Sequence, residues 1–316
     1  MMSRGRRVGL LVNPSAKSNR TSPSMTKRLA TMMQGRGLYA ESPSLNSIEG
    51  IAQDFKQQGI DILAIGGGDG TASYALTKFR EVYDSSELPA IALLRAGTMN
   101  TVANGIGVRR GHPEQMLRRL LEAAESGKGL RSKTMATLDM NGQVGFITGT
   151  GVIPAFLKEY YDAGDSYPTP MTAFKLLSRA AAGALVGSSL SKKIADPIPF
   201  EVSVDGQSWP TTAYLTIGAA TVPQIGLGFT PFYRSGEDSE RFHVVGFTCS
   251  KVGFVRALWP IFQGKPTNPA YTHESLASQA VIRQLNGPTL YTVDGEVLSA
   301  EELVIGRGPT VDVVWG

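Results

Sequence analysis

The apolar and polar positions of this chain follow two different patterns, one before and one after about residue 130. In the first part, short apolar runs at 8–12, 38–41, 61–65 and 90–94 alternate with segments whose apolar residues recur every three or four positions. Short runs bounded by turn residues predict buried strands, and strands alternating with helices predict a parallel α/β sheet. One helix is expected after Asn46-Ser47-Ile48-Glu49, a capping-box-like start, with Ile48, Ile51, Ala52 and Phe55 on one face and Gly59 as its stop. Another, 112–126, stacks Met116, Leu117, Leu120, Leu121 and Ala124 on one stripe before Gly127 and Gly129 end it. Beyond residue 131 the runs are joined by Asn141-Gly142, Asp205-Gly206, Asn286-Gly287 and Asp294-Gly295, which signal tight antiparallel turns. Two helical segments, 171–190 and 251–262, interrupt that pattern. The expected fold is an α/β N-terminal domain with a parallel sheet, residues 1–130, followed by a β-rich, antiparallel sandwich-like domain, residues 131–316. The C-terminal tail is free to pack back on the first domain.

Composition narrows the class. A chain of 316 residues exceeds the usual single core of roughly 100–200, which supports two domains. With 42% hydrophobic and 18% charged residues, neither disorder nor a fibrous architecture fits. The single cysteine, Cys249, has no internal disulfide partner, and His112, His243 and His273 show no zinc spacing, so a reducing, cytoplasmic setting is expected. Arg4, Arg6 and Arg7 precede an apolar run that ends at Asn13-Pro14, too short for the core of a signal peptide. No stretch approaches the roughly 18 apolar residues of a membrane span. The net charge of +4 and pI of about 9.1 favour anionic partners without choosing between nucleotides and acidic lipid surfaces. Charge is scattered, with no Lys/Arg run interleaved with aromatics, so no nucleic-acid partner is expected.

The chemistry concentrates where the run 61–65 meets Gly66-Gly67-Gly68-Asp69-Gly70-Thr71 and a helical segment, 72–79, follows. Glycines let a backbone turn through positive φ and approach an anion with no Cβ in the way. A helix N-terminus adds unpaired N–H groups and a positive dipole end. A carboxylate inside such a cradle repels phosphate unless a cation or a proton transfer is involved, so Asp69 is a candidate Mg2+ contact or general base. Tight packing is the ordinary reason for an isolated glycine turn, and neither a Walker A pattern nor Gly-x-Gly-x-x-Gly is present. Two further turns change the balance: Arg95-Ala96-Gly97-Thr98-Met99-Asn100 after the fourth run and Asn13-Pro14-Ser15-Ala16-Lys17 after the first. In a parallel sheet these loops converge on one edge, which sets Gly97, Thr98 and Asn100 beside Asp69 in a nucleotide cleft.

Together the loops resemble the diacylglycerol kinase catalytic family, which includes sphingosine and ceramide kinases and soluble bacterial lipid kinases. That family's Asn-Pro turn, Gly-Gly-Asp-Gly-Thr, Gly-Thr-x-Asn and terminal Asp-Gly-Glu appear here at 13–17, 67–71, 97–100 and 294–296. The resemblance implies a two-domain kinase with ATP in an interdomain cleft, Mg2+ between the phosphates, and a β-rich domain receiving a lipid taken from a membrane surface. Carried over, Asn13, Gly66, Gly67, Gly68, Asp69, Gly70, Thr71, Gly97, Thr98 and Asn100 hold ATP, with Ser42 a weaker member. Asp294 and Glu296 reach the phosphates or the metal, Asp69 serves as base or metal contact, and Asp238 is a second catalytic candidate. Phosphoryl transfer depends mostly on alignment and charge neutralisation. Two departures stand out: Thr101 occupies a place that many members fill with Asp, and Asp238 is followed by Ser239 rather than glycine.

Two rivals stay open. An NAD kinase shares the Gly-Gly-Asp-Gly loop, although the Asn-Pro turn and the second loop favour the lipid branch. Thr101 and Ser239 instead suit a catalytically silent nucleotide- or lipid-binding regulator. Helix 251–262 mixes Lys251 and Arg256 with Phe254, Leu258, Trp259 and Phe262, a pattern shared by interfacial and core-packed helices. The segment from 174, with Lys175, Arg179, Lys192 and Lys193, has the charge to rest on anionic lipid. The expected location is cytoplasmic and peripheral at the membrane, with the oligomeric state open and a homodimer among the options. His243 and His273 are expected to be structural or surface residues, and Cys249 a buried small apolar group.

Overall fold

The computed structural model describes residues 5–16, 19, 22, 24–84, 87–97, 100–108, 111–162, 170–186, 188 and 196–316. The chain forms two compact units, Met1–Met135 with Pro309–Gly316, and Ala136–Gly308. In the first, β1 (Val8–Val12), β2 (Gly37–Glu41), β3 (Ile62–Gly66), β4 (Ala90–Leu93) and β19 (Val311–Trp315) pair in parallel, and β5 (Arg131–Met135) pairs antiparallel to β19. The order is β2-β1-β3-β4-β19-β5. The first four strands match the expected runs to within one residue at every bound.

Helices α1 (Ser24–Met33), α2 (Ile48–Gln57), α3 (Asp69–Val82), α4 (Thr101–Ile106) and α5 (Pro113–Ser126) complete this unit. On one sheet face, Met25, Leu29 and Met33 of α1 and Leu117, Leu120 and Leu121 of α5 pack on Val8, Leu10, Ile62 and Ala64. On the other, Gly9 leaves room for Phe55 of α2, whose ring a Cβ would approach to 2.8 Å. Phe55 meets Phe79 of α3 edge-on at 6.3 Å. Strands β1, β3 and β4, covered on both faces, are apolar throughout and read as unbroken runs, whereas the edge strand β2 is half-buried and ends in exposed Glu41. Helix α1 is absent from the pattern reading. The expected capping box is also not made: the Ser47 hydroxyl donates to the Ser44 carbonyl at 2.6 Å instead.

The second unit is built on two antiparallel sheets. One joins β6 (Leu138–Met140), β7 (Gln143–Gly145), β9 (Ile198–Val204), β10 (Gln207–Ser208), β15 (Ala280–Gln284) and β18 (Leu303–Arg307), with β11 (Ala213–Tyr214) also on β9. The other joins β8 (Ile147–Thr150), β12 (Thr216–Ala220), β13 (Phe242–Phe247), β14 (Thr272–Ala277), β16 (Thr289–Val293) and β17 (Glu296–Ala300). Met140, Phe200, Ile282 and Ile305 of the first sheet share a core with Ile217, Val244, Tyr291 and Val293 of the second, the sandwich arrangement expected. At Asn141-Gly142, Asp205-Gly206 and Asp294-Gly295 both residues have positive φ, as two-residue hairpins require. Asn286-Gly287 differs: only Gly287 has positive φ, and the turn links β15 of one sheet to β16 of the other.

Three helices belong to this unit: α6 (Val152–Asp162), unforeseen in the sequence, α7 (Pro170–Val186) and α8 (Lys251–Phe262). Ser250 caps α8, its hydroxyl accepting from the Gly253 amide at 3.2 Å. Lys192 and Lys193 lie outside the described residues. Among the described residues no helix is long and apolar enough to cross a membrane.

Candidate phosphate-binding site

Because β1, β3 and β4 are parallel neighbours, the turns leaving their carboxyl ends lie side by side. Glycine is required where these turns close. A Cβ on Gly67 would stand 2.5 Å from Thr71 Cβ, and a Cβ on Gly97 would stand 2.5 Å from Gly68 Cα. The β3 and β4 loops therefore meet backbone to backbone, a proximity no larger residue permits. The Ala96 amide donates to the Gly67 carbonyl at 3.1 Å across the same junction.

The β1 turn is tied to the β3 loop through Asn13. Its Nδ2 donates to Thr71 Oγ1 at 3.0 Å, and its Oδ1 accepts from the Ser15 amide at 2.8 Å. Buried Asn19 donates Nδ2 to the carbonyls of both Asn13, at 2.6 Å, and Gly66, at 2.9 Å. Helix α3 opens at Asp69, three residues before the expected start, so Asp69, Gly70 and Thr71 form its first turn. Their amides precede the first helical bond, from Ala72 N to Gly68 O at 3.0 Å, and have no partner among the described residues. With Gly68, Asp69 and Gly70 half-buried, these amides and the helix dipole suit a phosphate.

The Asp69 carboxylate turns toward the next loop. Oδ2 accepts from the Thr101 amide at 2.8 Å and Oδ1 from the Val102 amide at 3.3 Å, at the start of α4. Burial pushes the Asp69 carboxyl above its ordinary value, while those two amides and the nearby Arg95 guanidinium pull it down. Arg95, at φ 53°, donates to the Val108 carbonyl at 3.1 Å and to Asn104. Asn100, left-handed at φ 48°, closes the loop on Gly97, accepting from its amide at 3.2 Å and donating to its carbonyl at 2.9 Å. Thr101 contributes its amide to Asp69 whatever its side chain, so the departure from Asp at this position leaves the backbone link intact. Thr98 and Lys17 lie outside the described residues.

The remaining expected members lie on other elements. Ser42 is buried at the end of β2, its amide donating to the Val12 carbonyl and its hydroxyl to the Ser44 carbonyl, both at 2.8 Å. In the second unit, Asp294 occupies the β16–β17 hairpin, and its Oδ1 accepts from the amides of Phe146 at 3.0 Å and Ile147 at 2.9 Å. Glu296 is exposed at the start of β17. Asp238 sits in a turn where Oδ1 accepts from the Glu240 amide at 2.8 Å and Oδ2 lies 3.7 Å from Arg241 Nε. Among the described residues no group of three or more His, Cys, Asp or Glu side chains is arranged to hold a metal. Mg2+ commonly keeps its waters and takes substrate phosphates with one or two carboxylates. This donor set fits a cation arriving with a nucleotide and does not fit an all-protein cage. Asn19, Arg95, Asn104 and Val102 joined the site unforeseen, since their roles depend on tertiary placement and no spacing rule marks them.

Residues 7–129 match the model of the diacylglycerol kinase catalytic domain. No curated protein matches the chain. Among solved structures, one from Bacillus anthracis str. Sterne, provisionally described as a diacylglycerol kinase, is similar with a TM-score of 0.70 at 14% identity, covering 100% of this chain and 99% of its own. A second, described as a diacylglycerol kinase from the same organism, has a TM-score of 0.65 at 14% identity, with 99% and 98% covered. Yeast NADH kinase complexed with NADH has a TM-score of 0.51 at 12% identity, with 99% and 84% covered. At these identities the structures speak for the fold.

Proposed function

The chain carries, over residues 7–129, the catalytic domain of the diacylglycerol kinase family, and from that premise we propose an ATP-dependent lipid kinase. It transfers the γ-phosphate of Mg-ATP to the hydroxyl of diacylglycerol or of a sphingoid or ceramide-like lipid, at the surface of a membrane. One observation carries this reading: Gly68 and Gly97 meet backbone to backbone and set the unspent amides of Asp69, Gly70 and Thr71 beside a second fixed loop. On this reading the amides and the positive end of α3 bind phosphate oxygens, and Asn13, through Thr71, fixes the turn that presents them. Asp69 orients the Gly97–Asn100 loop by holding the amides of Thr101 and Val102. Mg2+, when bound, neutralises charge on the transferring phosphoryl group. The role of Asp69 as base or metal contact, of Asp238 as a second acidic group, and of Asp294 and Glu296 as phosphate or metal contacts belongs to the same proposal.

The fold shared with yeast NADH kinase, together with the Gly-Gly-Asp-Gly loop, favours NAD as the alternative acceptor. Terminally radiolabelled Mg-ATP offered with diacylglycerol, ceramide, sphingosine or NAD separates the readings. Label is expected in a lipid; label on NAD alone overturns the lipid assignment, and nucleotide binding with no transfer to any acceptor supports the silent regulator. Asp69→Ala is expected to abolish transfer with the circular dichroism spectrum kept, and near-normal turnover in that variant would remove Asp69 from the chemistry.

A further inference from the structure

We propose that helices α7 and α8, which touch each other, form the face by which this chain lies on an anionic lipid bilayer. Helix α7 buries Ala173 and Leu176 against Tyr160, Phe156 and Leu157 of α6. Its outer stripe, Met171, Phe174, Lys175, Ser178, Arg179 and Ala182, is exposed at three- and four-residue spacing. Helix α8 buries Gly253, Ala257 and Ile261 and turns Arg256, Trp259 and Phe262 outward. Trp259 is 66% exposed, and its ring stacks on that of Phe262 with centroids 6.3 Å apart. The two readings left open for this segment thus hold together, one on each side of the helix.

Two features make this more than scattered surface apolarity. Every large aromatic exposed among the described residues, Tyr161, Phe174, Trp259 and Phe262, lies on α6, α7 or α8. Neither α7 nor α8 contains an Asp or Glu, and Lys175, Arg179 and Arg256 have no acidic partner among the described residues. Lys251, by contrast, is paired with Asp196. Aromatic rings flanked by free cations complement a headgroup layer, where the rings sit among the glycerol and acyl carbons and the cations meet lipid phosphates. A second copy of the chain suits the face less well, since a two-fold contact sets these cations against one another.

The purpose of this face rests on the lipid-kinase reading, but its existence is tested separately, by vesicle sedimentation without nucleotide or acceptor. The chain is expected to sediment with vesicles of equal parts phosphatidylcholine and phosphatidylglycerol, and far less with phosphatidylcholine alone. Trp emission should shift to the blue on binding, and Trp259→Ser should remove the shift although Trp209 and Trp315 remain. Trp259→Ser combined with Phe174→Ser should weaken partitioning about tenfold, while Trp259→Phe keeps it. Neutralising Lys175, Arg179 and Arg256 together to Gln should weaken it about a hundredfold, from roughly fivefold per cation at an anionic surface. All these variants should retain wild-type turnover on lipid dispersed in detergent. Vesicle binding without phosphorylation of any lipid keeps the face and sinks the kinase reading. Wild-type vesicle affinity in the Ser and Gln variants overturns the face, as does a dimer that Trp259→Ser dissolves with no vesicle binding.

Discussion

A single methyl group at residue 97 tests the junction of the two loops. Its Cβ would stand 2.5 Å from Gly68 Cα, a backbone atom that cannot swing aside, so Gly97→Ala must push the β3 and β4 loops apart. Overpacking of this kind costs ~1–3 kcal/mol, to be read from urea unfolding, and nucleotide affinity is expected to fall with it. Gly50→Ala is the control of opposite sign: its Cβ meets nothing within 4 Å, it lies in α2, and a stabilisation of ~0.5–1 kcal/mol is expected. At Asp69 the expected effect is one of pH. Its carboxyl is raised from an ordinary 3.8 by burial, so the folded chain keeps this proton to higher pH than the unfolded chain does. Stability from this group therefore falls as pH rises from 3.8 through the raised folded value and is level above it. Asp69→Asn should remove that slope from thermal melts recorded across the acid range. Melts whose slope is the same in the variant and the wild type would show that another group titrates there.

Elements too short to hold themselves depend on such residues. Helix α4 runs only from Thr101 to Ile106, well below the length at which isolated helices persist, and its first amides are satisfied by the Asp69 carboxylate. Asp69→Ala should therefore leave Thr101 and Val102 amides exchanging freely while those of α3 stay protected, measured by hydrogen exchange. In β13 the ring of His243 is fully buried, with neither nitrogen hydrogen-bonded among the described residues and Glu274 Oε2 3.4 Å from Nε2. The other Glu274 oxygen accepts from the Tyr233 hydroxyl at 2.5 Å. Burial pushes His243 below its ordinary 6.5, against the opposing pull of Glu274. The unfolded chain thus binds this proton first: stability is full above pH 6.5 and is lost as pH falls below it toward the folded value. Phe232 and Tyr233 already pack edge-on to the ring at 6.1 Å and 5.3 Å, so His243→Phe fits the site and should abolish this acid-side loss in urea midpoints. An undiminished loss in the variant would assign it elsewhere.

At the scale of the whole molecule, the last strand ties the chain's end to its first unit. β19 lies between β4 and β5, with Val313 and Val314 buried. Removing 309–316 strips β4 of its outer neighbour and orphans β5, so the shortened chain is expected to lose cooperative unfolding of the α/β unit by calorimetry; an unchanged transition would contradict this. The same strand shows where sequence reading stops. Apolar runs marked β1, β3 and β4, because strands covered on both faces need apolar side chains throughout, and the α2 and α5 stripes followed from the helical period. The glycine turn was legible because backbone close approach demands glycine whatever surrounds it. Nothing local marks β19 as a neighbour of β4, or separates Asn286-Gly287, which joins two sheets, from the three hairpin turns that resemble it. The partners of buried carboxylates were equally hidden: Asp69 meets amides 32 and 33 residues away, and Asp294 meets amides 148 and 147 residues away. The sequence by itself determined the elements and the glycine loops, since those express burial period and allowed backbone angles. Strand order and the partner of each buried charge come from non-local pairing, so only the tertiary structure decided them.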